Sequence, residues 1–195
     1  MNWDDTFWVL DLEGNGATPP EMVELALVEV RALVPTGRSR HWLIRPETPI
    51  SHFATRIHGI RNKDLAGAPG FDDIADDVLT LIEGAAIVGH NVRVDLDVLQ
   101  RALPGWEPSA AIDTMRIARS VRPGLPSYAL GKLAASLAIV VEGMEGDRVT
   151  AHSAPYDAKL TGMLFSNLLM SVAPDARSAL VDDANIIAVR QGLLL

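Results

Sequence analysis

The apolar residues of this chain follow two rhythms. Phe7-Trp8-Val9-Leu10 is a continuous apolar run, which predicts a strand buried on both faces, and Gly14 and Gly16 end it. Met22 to Val30, rich in Val, Leu and Ala, predicts a second strand. Arg38 to Arg45 predicts a third, with Trp42 and Ile44 on one face and His41 and Leu43 on the other. The short connections make these three an antiparallel meander. Beyond them the period lengthens. Phe71, Ile74, Ala75, Val78, Leu81 and Ile82 recur at helical spacing after a Pro69-Gly70 break. Ala85 to Val88 reads as a short buried strand ending at Gly89, and Val92, Leu96 and Leu99 as a helix. Ala110 to Ile112 reads as another strand with a helix after it. Ser127 is the expected N-cap of a helix carrying Leu130, Leu133, Ala134 and Leu137, and Leu160, Leu164 and Leu168 mark a longer helix. An antiparallel meander followed by alternating helices and strands predicts an α/β sandwich with a mixed central sheet flanked by helices. The length of 195 residues fits one domain over 1–195, with 174–195 as a candidate docking tail, through a helix or an oligomer contact.

Composition narrows the setting. A hydrophobic share of 48 % is that of an ordinary globular chain with a real core. The absence of cysteine excludes disulfides and thiolate metal sites. No stretch approaches the ~20 uninterrupted apolar residues of a membrane helix. Met1-Asn2-Trp3-Asp4-Asp5 has neither the basic start nor the apolar core of a secretory signal. No membrane association and a cytoplasmic location are therefore expected. Trp42 is expected in the core, and His41 and His52 in structural or exposed positions.

Four carboxylates and one histidine fall where the predicted elements end. Asp11 and Glu13 close the first apolar run. Side chains alternate along a strand, so both carboxylates face one way while Leu12 turns to the core. Asp95 follows Gly89-His90-Asn91, and the four-residue spacing puts Asn91 and Asp95 on one helical face. In His152-Ser153-Ala154-Pro155-Tyr156-Asp157, Pro155 suits the first turn of a helix, Asp157 shares that turn, and His152 stands on the loop before it. Each piece alone also reads as plain structure: two exposed acids in a turn, a solvated helix acid such as Asp97, a histidine beside an acid at a helix start.

Taken together, Asp11, Glu13, Asp95, His152 and Asp157 resemble the site of the DEDDh group of 3′–5′ exonucleases, which includes polymerase proofreading subunits, ribonuclease T and oligoribonuclease. The similarity runs from about Phe7 to about Leu168 and takes in the segments Arg56-Ile57-His58-Gly59-Ile60, Asp113 to Arg119 and Ser127-Tyr128-Ala129-Leu130. The resemblance implies a ribonuclease H-like fold and release of nucleoside monophosphates from a 3′ end. It implies Asp11, Glu13, Asp95 and Asp157 as ligands of two divalent ions, Mg²⁺ or Mn²⁺, which prefer carboxylate oxygens. It implies His152 as general base, since histidine exchanges protons near working pH. Gly14, Asn15, His58 and Asn91 become candidate contacts for the terminal nucleotide. The first motif departs from the usual Asp-x-Glu-Thr-Thr-Gly, with Gly14 and Asn15 in place of the threonines, so a hydroxyl contact to the 3′ end is lost. Val94 stands where an aromatic often precedes the Asp, and Pro155 and Tyr156 vary the third motif.

The expected partner is a single-stranded or frayed 3′ end of DNA or RNA, with a polymerase or self-association in addition. A formal net charge of −8 argues against coating long nucleic acid. Leaving out the four motif carboxylates still leaves 21 acidic against 17 basic residues, which suits a short 3′ end. Three alternatives stay open: an oligoribonuclease-like enzyme trimming short RNA, an enzyme acting on free nucleotides, and a non-catalytic nucleic-acid or polymerase-binding module. The last must explain four clustered like charges, which are costly without a metal.

Overall fold

The computed structural model describes residues 6–141 and 152–187. Its strands are β1 (Thr6–Gly14), β2 (Met22–Arg31), β3 (Val34–Leu43), β4 (Ala86–Gly89) and β5 (Ala110–Asp113). They form one sheet in the order β3-β2-β1-β4-β5. β1 pairs antiparallel with β2, and β2 with β3, whereas β1 pairs parallel with β4, and β4 with β5. The meander and the parallel half meet at β1, which is why β1 carries the unbroken apolar run. Phe7 and Val9 pack into one core with Leu164, Phe165 and Leu168, and the Phe7 and Phe165 ring centroids lie 5.5 Å apart. Trp8 and Leu10 pack into a second core with Val78, Ile82, Leu96 and Leu99. Burying one such side chain on either face contributes about 1.5–3 kcal/mol. This is the mixed sheet that the sequence predicts, in the ribonuclease H-like arrangement that the resemblance implies.

Seven α-helices are described: α1 (His52–His58), α2 (Ala75–Ile82), α3 (Arg93–Ala102), α4 (Thr114–Val121), α5 (Leu130–Ser136), α6 (Ala154–Met170) and α7 (Arg177–Ala184). α6 is buried around most of its circumference, so Leu160, Leu164 and Leu168 trace only one of its apolar stripes. Pro155 stands in its first turn, as predicted.

Several boundaries differ from the sequence expectations. α2 starts at Ala75, because Phe71–Ile74 form a turn in which Asp73 Oδ2 accepts the Gly70 N–H. β3 begins at Val34 and ends at Leu43, and Ile44 beyond it is still buried. Ser127 is not the N-cap of α5; Ala129 is, and the Ser127 hydroxyl accepts the Ala129 N–H to shape the approach. α1 was not foreseen. Ser51 caps it by accepting the Ala54 N–H, and Gly59 closes it at φ 77°. Within the tail, α7 buries Val181 and Ala184 in the same core as Phe7 and Phe165, and Asn185 Oδ1 accepts the Ala111 N–H. The N-terminal Met1-Asn2-Trp3-Asp4-Asp5 and the final Gly192-Leu193-Leu194-Leu195 lie outside the described residues. Among the described residues no helix is long and apolar enough to cross a membrane.

Candidate active site

The last residues of β1 and the first turn of α6 bring three carboxylates together. Asp11, Glu13 and Asp157 each offer an oxygen, and these oxygens lie within 4.8 Å of one another. The alternation along β1 accounts for two of the three, and Leu12 between them packs against the core of the opposite face.

Asp95 arrives from α3 and stands outside that trio. Its carboxylate accepts backbone hydrogen bonds from Leu12 and from its own N–H, which moors the first turn of α3 to the end of β1. The turn into α3 is tight. A Cβ on Gly89 would lie 2.7 Å from Val92 Cγ2, closer than side chains allow, so only glycine fits there. Asn91 takes a left-handed φ of 62° and precedes the helix. The expectation that Asn91 and Asp95 share a helical face is therefore corrected. Asn91 is exposed, and its N–H donates to Asp113 Oδ1 at 2.9 Å. His90 behind it bridges Thr114 Oγ1 at 2.9 Å and the Tyr128 carbonyl at 2.7 Å; burial lowers its pKa, partly offset by the Tyr128 carbonyl and Asp113.

Burial of the carboxylates dominates the site, and crowding of like charge adds to it. Burial, then Asp95, Asp157, Glu13 and Glu24, push the Asp11 pKa well above the usual carboxylate range. Burial pushes Asp95 to about 7, with Asp113 adding to it against the two backbone hydrogen bonds. Burial also raises Asp157, opposed by the His152 N–H and ring and reinforced by Glu24. A cluster of oxygen donors that resist ionisation is short of positive charge. An all-oxygen set without sulfur or nitrogen fits a hard divalent cation.

His152 is exposed, with a φ of 66°, and its N–H donates to Asp157 Oδ2 at 3.1 Å. The structure corrects one substrate expectation. Asn15 is completely buried and its amide faces inward: Oδ1 accepts from the Ala17 and Glu21 N–H groups and Nδ2 donates to the Thr48 carbonyl. Its side chain braces the loop and is not turned toward a nucleotide. Gly14 remains partly exposed beside Glu13. His58 is buried at the end of α1, and its Nδ1 accepts the Ile60 N–H, so a contact with a nucleotide has to use Nε2. Sequence reasoning passed over Glu24. It sits opposite Glu13 in the β1–β2 ladder, is fully buried, and bears on both Asp11 and Asp157. The sequence signal was an acid inside a largely apolar strand, and Glu29 in the same strand gives the same signal.

Comparison with known proteins agrees with this geometry. The family model described as exonuclease, of the RNase T type, matches residues 8–165. The chain is 34 % identical over 171 residues to the DNA polymerase III subunit epsilon of Rickettsia felis, covering 82 % of this chain and 72 % of that one. It is 28 % identical over 170 residues to the 3′–5′ exonuclease DinG of Bacillus subtilis, covering 84 % of this chain but 17 % of that one. Among solved structures, Exonuclease X in complex with 5′ overhanging duplex DNA superposes with a TM-score of 0.75 at 26 % identity, covering 91 % of this chain and 99 % of that one. The nuclease domain of 3′hExo, a DEDDh family member bound to rAMP, shares the fold at a TM-score of 0.70 and 15 % identity, covering 87 % of this chain and 94 % of that one.

Proposed function

The chain belongs to the RNase T-type exonuclease family, the DEDDh 3′–5′ exonucleases, and from that membership we propose that Asp11, Glu13, Asp95 and Asp157 hold two divalent ions, Mg²⁺ or Mn²⁺, with His152 as the general base. The enzyme is a 3′–5′ exonuclease. The observation that carries the residue assignment is the meeting of Asp11, Glu13 and Asp157 oxygens within 4.8 Å, with His152 bonded into the same turn as Asp157. Asp11 belongs to the trio and also feels Asp95 more than any other charge, so it would be a metal ligand placed between Asp95 and the other two carboxylates. When bound, such ions activate water and stabilise the charge that develops on the phosphate.

The protein's own groups do the rest. His152, exposed at the mouth of the site, takes a proton from the attacking water. The bond from its N–H to Asp157 fixes the turn from which the ring reaches in. The partly exposed backbone of Gly14, His58 and the exposed Asn91 are the further contacts we assign to the terminal nucleotide. Asn15 acts behind them by holding the loop in shape.

The substrate is the 3′ end of a single-stranded or frayed nucleic acid. DNA is favoured by the relatives, a DNA polymerase III subunit and a nuclease crystallised on duplex DNA. Kinship to an epsilon subunit makes a polymerase a fitting partner. We take residues 1–195 as one exonuclease domain of the cytoplasm, with the segment from Pro174 docked through α7 onto α4 and β5. A second reading, trimming of short RNA, is supported by the net charge of −8, which suits a short ligand over a long duplex. The test is to incubate the protein with Mg²⁺ or Mn²⁺ on matched 5′-labelled DNA and RNA oligomers, with Asp11→Ala as control. A ladder shortening from the 3′ end, absent in the control, is expected, and its rate on each sugar decides between the readings. An Asp11→Ala protein that makes the same ladder would overturn the site assignment.

A further inference from the structure

Glu24 belongs to none of the three motifs, yet it is completely buried on β2. Its Oε1 lies 2.9 Å from His41 Nε2, and its Oε2 accepts the Ala154 N–H at 2.9 Å, across 130 residues of sequence. The second bond falls at the start of α6. The N-cap residue there, Ser153, makes no side-chain capping bond, and Pro155 has no N–H to offer. Ala154 therefore presents the first donor of the helix, and a carboxylate from another strand receives it, the favourable sign of charge for a helix N-terminus.

A cap alone does not require this arrangement, because a serine hydroxyl at Ser153 would serve. A fully buried carboxylate is a costly way to cap a helix. Position explains it better. β2 is hydrogen-bonded to β1, and Glu24 stands opposite Glu13 in that ladder. The turn from His152 to Asp157 is thus held at two points: His152 N–H by Asp157, and Ala154 N–H by Glu24. His41, whose side chain on β3 is 39 % exposed, backs Glu24 from the solvent side.

We propose that Glu24, backed by His41, is a positioning residue that ties the turn bearing His152 and Asp157 to the strand bearing Asp11 and Glu13. This rests on the roles given above to His152 and Asp157. The test compares Glu24→Leu, Glu24→Gln, His41→Ala and Asp157→Asn, measuring kcat and KM on a 5′-labelled DNA oligomer at saturating Mn²⁺ and the exchange rate of the Ala154 amide by NMR. Glu24→Leu is expected to lower kcat by about ten- to a hundred-fold at nearly constant KM and to speed Ala154 exchange. Glu24→Gln, whose side-chain oxygen can accept the same N–H, restores most of kcat. A folded Glu24→Leu protein with parental kcat, or a Glu24→Gln protein as impaired as Glu24→Leu, overturns the proposal. If Glu24→Leu does not fold, His41→Ala decides: a lowered kcat with faster Ala154 exchange supports the tie, and parental values for both defeat it. Asp157→Asn separates the two levels. Parental turnover there would bring down the site assignment itself, whereas an inactive Asp157→Asn beside a fully active Glu24→Leu brings down only the positioning role.

Discussion

His152 holds a left-handed backbone conformation, φ 66°, that a non-glycine residue adopts only when its surroundings compel it. The compulsion is visible: its N–H is spent on Asp157 Oδ2, and two residues on, the Ala154 N–H is spent on Glu24. The side chain is left exposed. Replacing His152 by alanine keeps both backbone bonds, so the fold and the oxygen trio should survive while the base is lost. His152→Ala is expected to lower kcat by about 10²–10⁴-fold with little change in melting temperature. At saturating Mn²⁺ the carboxylates are held ionised, so with the base gone the pH dependence of the rate should differ between parent and variant. Rate–pH profiles of parent and variant check this, and an unchanged profile would assign the base elsewhere. Asn15 carries the opposite lesson about a single residue. It lies in the first motif, but with its amide bonded to Ala17, Glu21 and Thr48 it shapes the loop from behind.

The turn from β4 into α3 shows how an element aims a functional group. Gly89 ends the strand, Asn91 reverses the chain at φ 62°, and Val92 packs back over Gly89 before Asp95 comes round to meet Leu12. A methyl group at position 89 would collide with buried, β-branched Val92, which has little freedom to yield. Gly89→Ala is expected to destabilise the fold by about 1–3 kcal/mol through overpacking and to lower kcat, because the displaced turn carries Asp95. Urea denaturation read beside kinetics checks it; parental stability and rate together would show that the turn gives way freely. The same element marks what the sequence discloses and what it hides. The apolar runs of β1, β2 and β4 and the stripe of α3 were legible because burial on defined faces leaves a period. The i, i+2 carboxylates of β1 were legible for the same reason. Hidden were α1, a short helix with exposed Phe53 and Ile57 and no clean stripe, and the left-handed Asn91, which a spacing rule placed on the helix. Glu24 was hidden most completely, since its partners His41 and Ala154 become neighbours only when the sheet and α6 assemble.

At the scale of the whole molecule, the site works against the stability of the metal-free fold. Asp95 titrates near the ordinary aspartate value of 3.8 when unfolded but at about 7 when folded, and Asp11 is displaced in the same direction. For an acid whose folded pKa is raised, the folded state keeps a proton that the unfolded state has released. On account of Asp95 the metal-free protein therefore loses stability as pH rises from about 4 through about 7, above which the Asp95 share of the deficit is constant, and Asp11 acts in the same direction. A bound divalent ion reverses the sign by favouring the ionised carboxylates. The gain in melting temperature from Mn²⁺ should then be small near pH 5 and largest near pH 8. At a metal concentration of about a hundred times Kd, binding stabilises by about 2.7 kcal/mol. For a chain of this size each kcal/mol moves the midpoint by about 2–4 °C, so a rise of roughly 5–10 °C is expected at pH 8. Asp95→Asn carries the converse: with one like charge gone, its metal-free melting temperature at pH 8 should exceed the parent's, while its gain from Mn²⁺ should shrink. Melting curves for both proteins, with and without Mn²⁺, at pH 5 and pH 8 test the pair of expectations. Equal gains at the two pH values, or an Asp95→Asn protein that melts below its parent without metal, would mean that crowded charge is not what the metal relieves.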